Sequence, residues 1–98
     1  MKPAVTTLVS FAAMCGMYPA PAYDYPYRGG KVKVIASTAT VQQLCGPGTQ
    51  ACAFGGRFHG MRDCTLFLQD SFTERSYRHE QAHCNGWPMD HPGGIPGC

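Results

Sequence analysis

The sequence predicts a small α+β domain in which short antiparallel strands pack on one well-defined helix and disulfides staple the fold. Three observations support this class. The chain has 98 residues, of which 12 are glycine and 8 are proline, so its elements must be short and joined by many turns. One stretch near the C-terminus carries clear helix start and stop signals. Six cysteines provide the staples that a domain with so small a core needs.

The first 22 residues have the pattern of a secretory signal peptide. Lys2 precedes an uncharged apolar stretch over residues 4–17, and Ala20 and Ala22 supply the small residues that a signal peptidase reads. The apolar stretch, about 14 residues long, is shorter than the roughly 20 residues that span a bilayer. We therefore expect cleavage after Ala22, a periplasmic or secreted mature protein, and no stable insertion in a membrane.

Four short elements are expected before the last helix, on the basis of alternating apolar patterns and turn residues. In order, they are a flexible leader over residues 23–30, a strand over 31–36, a short helix that Ser37 or Thr38 caps and that ends at 46–48, and a hairpin formed by 51–54 and 63–68.

The best-defined element is a helix predicted over residues 72–84. Ser71 and Glu74 have the spacing of a capping box, in which the two side chains satisfy free amides of the first turn. Asn85 and Gly86 form a pair that can adopt the left-handed conformation that closes a helix.

Two histidines of this helix form the motif HExxH, with His79 and His83 at its ends and Glu80 between them. Four residues make slightly more than one turn, so both imidazoles project from the inward face and can bind one zinc ion. The alternative is a pair of core histidines bonded to backbone carbonyls. Burying two imidazoles beside a carboxylate without a metal carries a large desolvation cost, which favours the metal site.

A third ligand is expected just after the helix, where the chain turns back. Asp90 and His91 are both within reach of the same metal. We favour His91 because imidazole is the commoner zinc partner, and Asp90 can then accept a hydrogen bond from a ligand's other ring nitrogen.

Export also determines the chemistry of the cysteines. Cleavage after residue 22 removes Cys15 and leaves five cysteines, which tend to pair in an oxidising compartment. A lipid anchor on Cys15 is the less favoured alternative, because Met14 precedes it where a small residue is required.

Several pairings of the five cysteines are possible from the sequence alone. Cys84 lies about 100° round the helix from the second histidine, so we expect it to tie the helix to the strand that carries Cys64 rather than to bind the metal. Cys45 and Cys52 then pair across the glycine-rich turn, and Cys98 is the odd thiol.

The segment over residues 79–92, HEQAHCNGWPMDHP, resembles the ending of small exported bacterial proteins of the zincin type. The resemblance covers mainly residues 64–92 and implies a minimal zincin-like, metal-binding domain over 31–98. It implies that His79 and His83 are ligands and that Glu80 is the general base. Metzincins place their third ligand where this chain has Met89, so that assignment does not transfer.

The expected function is that of an exported zinc-dependent metallopeptidase. Zinc lowers the pKa of a water molecule, and Glu80 takes its proton and passes it to the leaving amine. A peptide or protein substrate would add to an edge strand, for which residues 65–69 are the candidate. The alternative is a secreted, disulfide-stapled binding module with a structural zinc. A net charge of +2 without a basic stripe excludes a nucleic-acid partner from the expectations.

Overall fold

The computed structural model describes residues 16–97. The signal-peptide prediction for residues 1–15 and the odd thiol predicted at Cys98 lie outside this range. The described strands are β1 (Met17–Tyr18), β2 (Val32–Ala36), β3 (Cys52–Gly55), β4 (Cys64–Leu68) and β5 (Ile95–Pro96), and the α-helices are α1 (Thr38–Leu44) and α2 (Glu74–Cys84). Neither helix is long and apolar enough to cross a membrane.

The main sheet has the strand order β2-β4-β3. β3 and β4 form the antiparallel hairpin that the sequence predicts, but β2 and β4 are parallel. The predicted α+β class is therefore confirmed, whereas the expectation of antiparallel strands alone is wrong. The physical reason is that α1 and β3 intervene between β2 and β4, so the chain crosses over and returns in the same direction.

Helix α2 packs on this sheet through a small apolar core. Leu66 and Leu68 of the central strand are fully buried. Cys64 is joined to Cys84 by a disulfide, with 6.0 Å between their Cα atoms, and a second disulfide closes the turn between α1 and β3. Both bridges are those that the sequence predicts, and they indicate an oxidising, extracytoplasmic environment.

Each helix begins at a side-chain hydroxyl that caps its first turn. Ser37 caps α1, as the sequence predicts, and its Oγ accepts a hydrogen bond from the Thr40 amide. Helix α2 begins at Glu74, and its cap is Thr73, whose Oγ1 accepts from the Ser76 amide. The capping box predicted at Ser71 is therefore wrong by two residues. Thr73 has an equally suitable hydroxyl and leaves a shorter helix.

β1 and β5 form a second, two-stranded sheet, and β1 packs on α2. Residues 16–20, which the sequence assigns to the signal peptide, are part of the fold, and Pro19 and Ala20 are buried. The predicted leader over 23–30 also lies on α2. Asn85 donates hydrogen bonds from Nδ2 to the carbonyls of Tyr23 and Tyr25.

Candidate metal centre

Three histidines meet between α2 and the segment that follows it. His79 and His83 project from α2, and His91 belongs to residues 88–94, here called the strap. One nitrogen from each ring can be chosen so that all three lie within 4.8 Å of one another. The Nε2 atoms of His79 and His91 are 3.2 Å apart. Two zinc–nitrogen bonds at a tetrahedral angle place their nitrogens about 3.3 Å apart, so this spacing suits one ion.

The two helical imidazoles are oriented by backbone carbonyls. The Nδ1 atom of His79 donates to the carbonyl of Met17, and Nδ1 of His83 donates to that of Trp87, both at 2.8 Å. A carbonyl can only accept, so each Nδ1 carries the proton and each Nε2 presents a lone pair. This is how proteins fix the tautomer of a metal-binding histidine.

The ring of Trp87 lies next to the rings of all three histidines. Its ring is fully buried and lies 4.9–5.0 Å, centroid to centroid, from each imidazole. Its indole Nε1 donates to the carbonyl of Pro92 at 2.9 Å, which fixes the turn of the strap.

His91 lies in the left-handed region, with a φ of 58°, which is uncommon for a residue other than glycine. The His91 amide donates to the carbonyl of Pro88, and the Gly94 amide donates to the carbonyl of His91. These turns bring its ring over the helix. Asp90, the other candidate for a third ligand, is exposed and does not belong to the cluster.

Glu80 lies beside the cluster without belonging to it. Its carboxylate is 4.0 Å from Nε2 of His79, and the residue is only 6% exposed. Burial raises the pKa of Glu80 to about 8. Burial also lowers the pKa of His79, and that of His83 to about 4, so both imidazoles are neutral near pH 7, the form that binds a metal.

A cleft of about 380 Å³ opens beside these residues. His79, Glu80 and Arg75 of α2 line it, together with Met17 of β1 and with Gln50 and Ala51, which come just before β3. The expectation that residues 65–69 form the substrate strand is wrong, because β4 is the central strand and both of its edges are paired. The strands next to the cleft are β1 and β3.

Two contributors to the site escape the sequence analysis. The Met17 carbonyl orients a histidine 62 residues away, and a backbone group has no sequence signature. Arg75, which is half-buried on α2, also lines the cleft. Its position one turn before His79 is the signal that could have found it.

Comparison with known proteins finds no matching family model, no similar curated protein and no similar solved structure. The function is therefore argued from the site itself.

Proposed function

We propose that this protein is an exported zinc-dependent metallopeptidase. The observation that carries the proposal is the combination of three converging imidazoles with a buried carboxylate at the wall of an open cleft. A metal that only stabilised the fold would not need the carboxylate between His79 and His83.

The donor set favours zinc. Three imidazoles, two of them with the outer nitrogen bonded to a carbonyl, are typical of catalytic zinc sites, in which three protein ligands leave a fourth position open. His79, His83 and His91 would hold the ion. When bound, the ion would act as a Lewis acid and would lower the pKa of a water molecule in the cleft.

Glu80 provides the proton transfer. Its carboxylate is held 4.0 Å from a ligand nitrogen and lines the cleft, so it can accept a proton from water and donate it to a leaving amine. Burial raises the pKa of Glu80 to about 8. A dication held by the three histidines would favour the charged form of the carboxyl and would lower this pKa into the range of a general base.

A peptide fits the cleft as an extended strand. β3 is an edge strand of the described sheet, and Gln50 and Ala51 lead into it along the cleft. A substrate backbone can pair with this edge while its scissile bond faces Glu80. Arg75, which is half-buried in the same wall, places a positive charge in the path of the substrate.

Export of the protein and a zincin-like arrangement of its domain are part of the same proposal. The two disulfides support an exported protein, periplasmic or secreted. The helix that carries HExxH beside a strand edge supports a minimal zincin-like arrangement, although the sheet is smaller than such a fold needs for a deep specificity pocket.

A structural zinc in a secreted binding module is the second candidate. The observation that favours it is the tight packing round the cluster, where Trp87 and the strap enclose the histidines on one side. The two candidates differ in the fourth coordination position, which a structural site fills with a protein ligand.

The test is the Glu80→Gln variant, loaded with zinc and assayed on a peptide library. This change keeps the shape of the side chain and removes the base, so we expect zinc content to be retained while peptide hydrolysis falls about 10²-fold or more. Glu74→Gln, on the exposed first turn of the same helix, is the matched control and should keep full activity.

Two results would contradict the proposal. If the zinc-loaded parent hydrolyses no peptide, the structural-metal candidate is favoured. If the parent and Glu80→Gln hydrolyse equally, the activity belongs to a contaminating protease.

A further inference from the structure

The cleft beside the metal centre continues along α2 towards the start of the helix. A second cleft, of about 210 Å³, opens there. It shares Gln50, Arg75 and Ser76 with the first cleft, so the two clefts adjoin and form one groove. This groove leads from the first turn of α2 to His79 and Glu80, and it offers a path for an extended peptide.

The lining of the groove is polar and carries little charge. Among the described residues, Arg75 is the only lysine or arginine that lines either cleft, and Glu80 is the only acidic residue. The other residues of the second cleft are neutral, and all but a phenylalanine carry a hydroxyl or an amide: Gln50, Gln69, Ser71, Phe72, Thr73 and Ser76. A ligand in the groove therefore meets one fixed positive charge, at Arg75.

The Arg75 guanidinium has no acidic partner among the residues that the structure describes. In that range, Arg62 forms a salt bridge with Asp63 and Arg78 forms one with Asp24, but Arg75 forms none. Arg75 is nevertheless half-buried. A guanidinium binds carboxylates through two parallel N–H···O bonds, so an arginine that faces a cleft without such a partner is suited to bind a carboxylate from a ligand.

The position of this guanidinium depends on a glycine at the start of β1. A Cβ added at Gly16 would lie 3.0 Å from Nε of Arg75 and 3.3 Å from Nη2. Both distances are shorter than ordinary contacts to carbon, so a side chain at this position would displace the guanidinium. Gly16 also lines the first cleft. The guanidinium therefore lies against the backbone at the edge of the cleft.

Arg75 precedes His79 by one turn of α2. Four residues advance a helix by about 6 Å, a length that about two residues of an extended peptide cover. The arginine side chain adds reach of about one further residue. A ligand group that contacts Arg75 is therefore within about three residues of the peptide bond that lies at the metal centre.

We propose that Arg75 binds a carboxylate of the peptide that occupies the cleft, within about three residues of the bond at the metal centre. This inference rests on the proposed function, because it assigns the substrate class of the same site. The carboxylate belongs either to an aspartate or glutamate side chain or to the C-terminus of a short peptide. A guanidinium binds both in the same way. Gln50 and Ser76, which line both clefts with Arg75, can donate further hydrogen bonds to it.

The first test measures binding without cleavage, in the zinc-loaded Glu80→Gln variant. The probes are short peptides in matched pairs, which differ by glutamate or glutamine at one position or by a free or amidated C-terminus. We expect the carboxylate to tighten binding by about 10-fold in one kind of pair, which identifies its source. Equal dissociation constants in every pair, or no binding of any peptide, would overturn the inference.

The second test changes the arginine in the same Glu80→Gln background. Arg75→Gln should abolish the preference for the carboxylate. Arg75→Lys should keep part of it, because lysine keeps the charge and loses the planar fork. Arg75→Glu should reverse the preference towards peptides that carry lysine at the same position, a result that a merely structural role of Arg75 would not produce.

Arg57→Gln is the matched control for the loss of one positive charge. Arg57 is exposed on the short turn after β3 and lines neither cleft, so this variant should keep the full preference. A preference that survives Arg75→Gln, or that Arg57→Gln removes to the same extent, would contradict a direct contact with Arg75.

Hydrolysis by the zinc-loaded parent separates this inference from the proposed function. If both are correct, the carboxylate should raise kcat/KM by about 10-fold, mainly through a lower KM. Selective binding without hydrolysis of any peptide would leave the carboxylate site intact and refute the peptidase. Hydrolysis without a preference for the carboxylate would leave the peptidase intact and refute the carboxylate site.

Discussion

Two halves of the molecule pack on helix α2 and are held together in different ways. The sheet half consists of β2, β3, β4 and α1. It has ladders of five and four residue pairs, two buried leucines, and both described disulfides. The metal half consists of β1, β5 and the strap. Its ladder has two pairs, and its centre is Trp87 surrounded by three histidines.

This difference indicates that the two halves depend on different interactions for their stability. The sheet half buries apolar side chains and satisfies its backbone in ladders, so it can stay folded without a ligand. The metal half buries polar rings that are held by single hydrogen bonds to carbonyls, so its order depends on what binds the imidazoles. We therefore expect ligand binding to change the local stability of the metal half more than that of the packed sheet half.

The largest expected effect comes from breaking the sheet half. Leu66→Ala removes a fully buried side chain from the central strand, which should lower the free energy of unfolding by about 3 kcal/mol. Denaturant unfolding measures this loss. Zinc bound per folded protein should not change, and a loss below about 1 kcal/mol would show that this core is not what holds the sheet half.

Removing the metal should affect only the metal half. Zinc at 100 times its dissociation constant contributes about 2.7 kcal/mol to stability, and a chelator removes that contribution. Hydrogen exchange should then show lost protection at the amides of His91 and Gly94, whose partners lie within the strap, while the amides of β4 stay protected. Equal loss in both halves would contradict the division.

The helix that both halves share can be weakened at its start. Thr73→Ala removes the cap that accepts from the Ser76 amide, so thermal unfolding should show a loss of about 1 kcal/mol. Ser71→Ala, at the cap that the sequence predicts, is the matched control and should change stability by less than about 0.5 kcal/mol. A larger loss of stability in Ser71→Ala than in Thr73→Ala would show that Ser71 caps the helix, as the sequence predicts.

The smallest expected effect on stability comes from a change in the strap, which separates metal binding from stability. His91→Asn replaces a residue at a positive φ with one that tolerates that conformation better, so the metal-free protein should gain about 0.5 kcal/mol. Zinc affinity should fall sharply in the same variant. Asp90→Asn, next to it and exposed, should change neither quantity, and loss of zinc there would show that the third ligand is Asp90.

The sequence predicts what is local and misses what is distant. The cap at Ser37 and the convergence of His79 and His83 follow from spacing along one helix. The pairing of Cys64 with Cys84 follows from helical phase. The parallel pairing of β2 with β4 and the role of the Met17 carbonyl depend on how distant segments meet, which no local pattern records.

The start of α2 shows a further limit. Ser71 and Thr73 both offer a capping hydroxyl, and propensity alone does not choose between them. Tertiary packing makes that choice, and the same packing turns Arg75 towards the cleft. The error at the cap displaced the start of the helix by two residues without changing the predicted element.

The central claim is an open site made of three imidazoles, and X-ray absorption at the zinc edge of the loaded protein tests it most directly. The account predicts three histidine nitrogens and one oxygen from water at about 2.0 Å, with no sulfur. In Glu80→Gln the same three nitrogens should remain. A sulfur ligand, a fourth protein ligand, or fewer than three imidazoles would contradict the account.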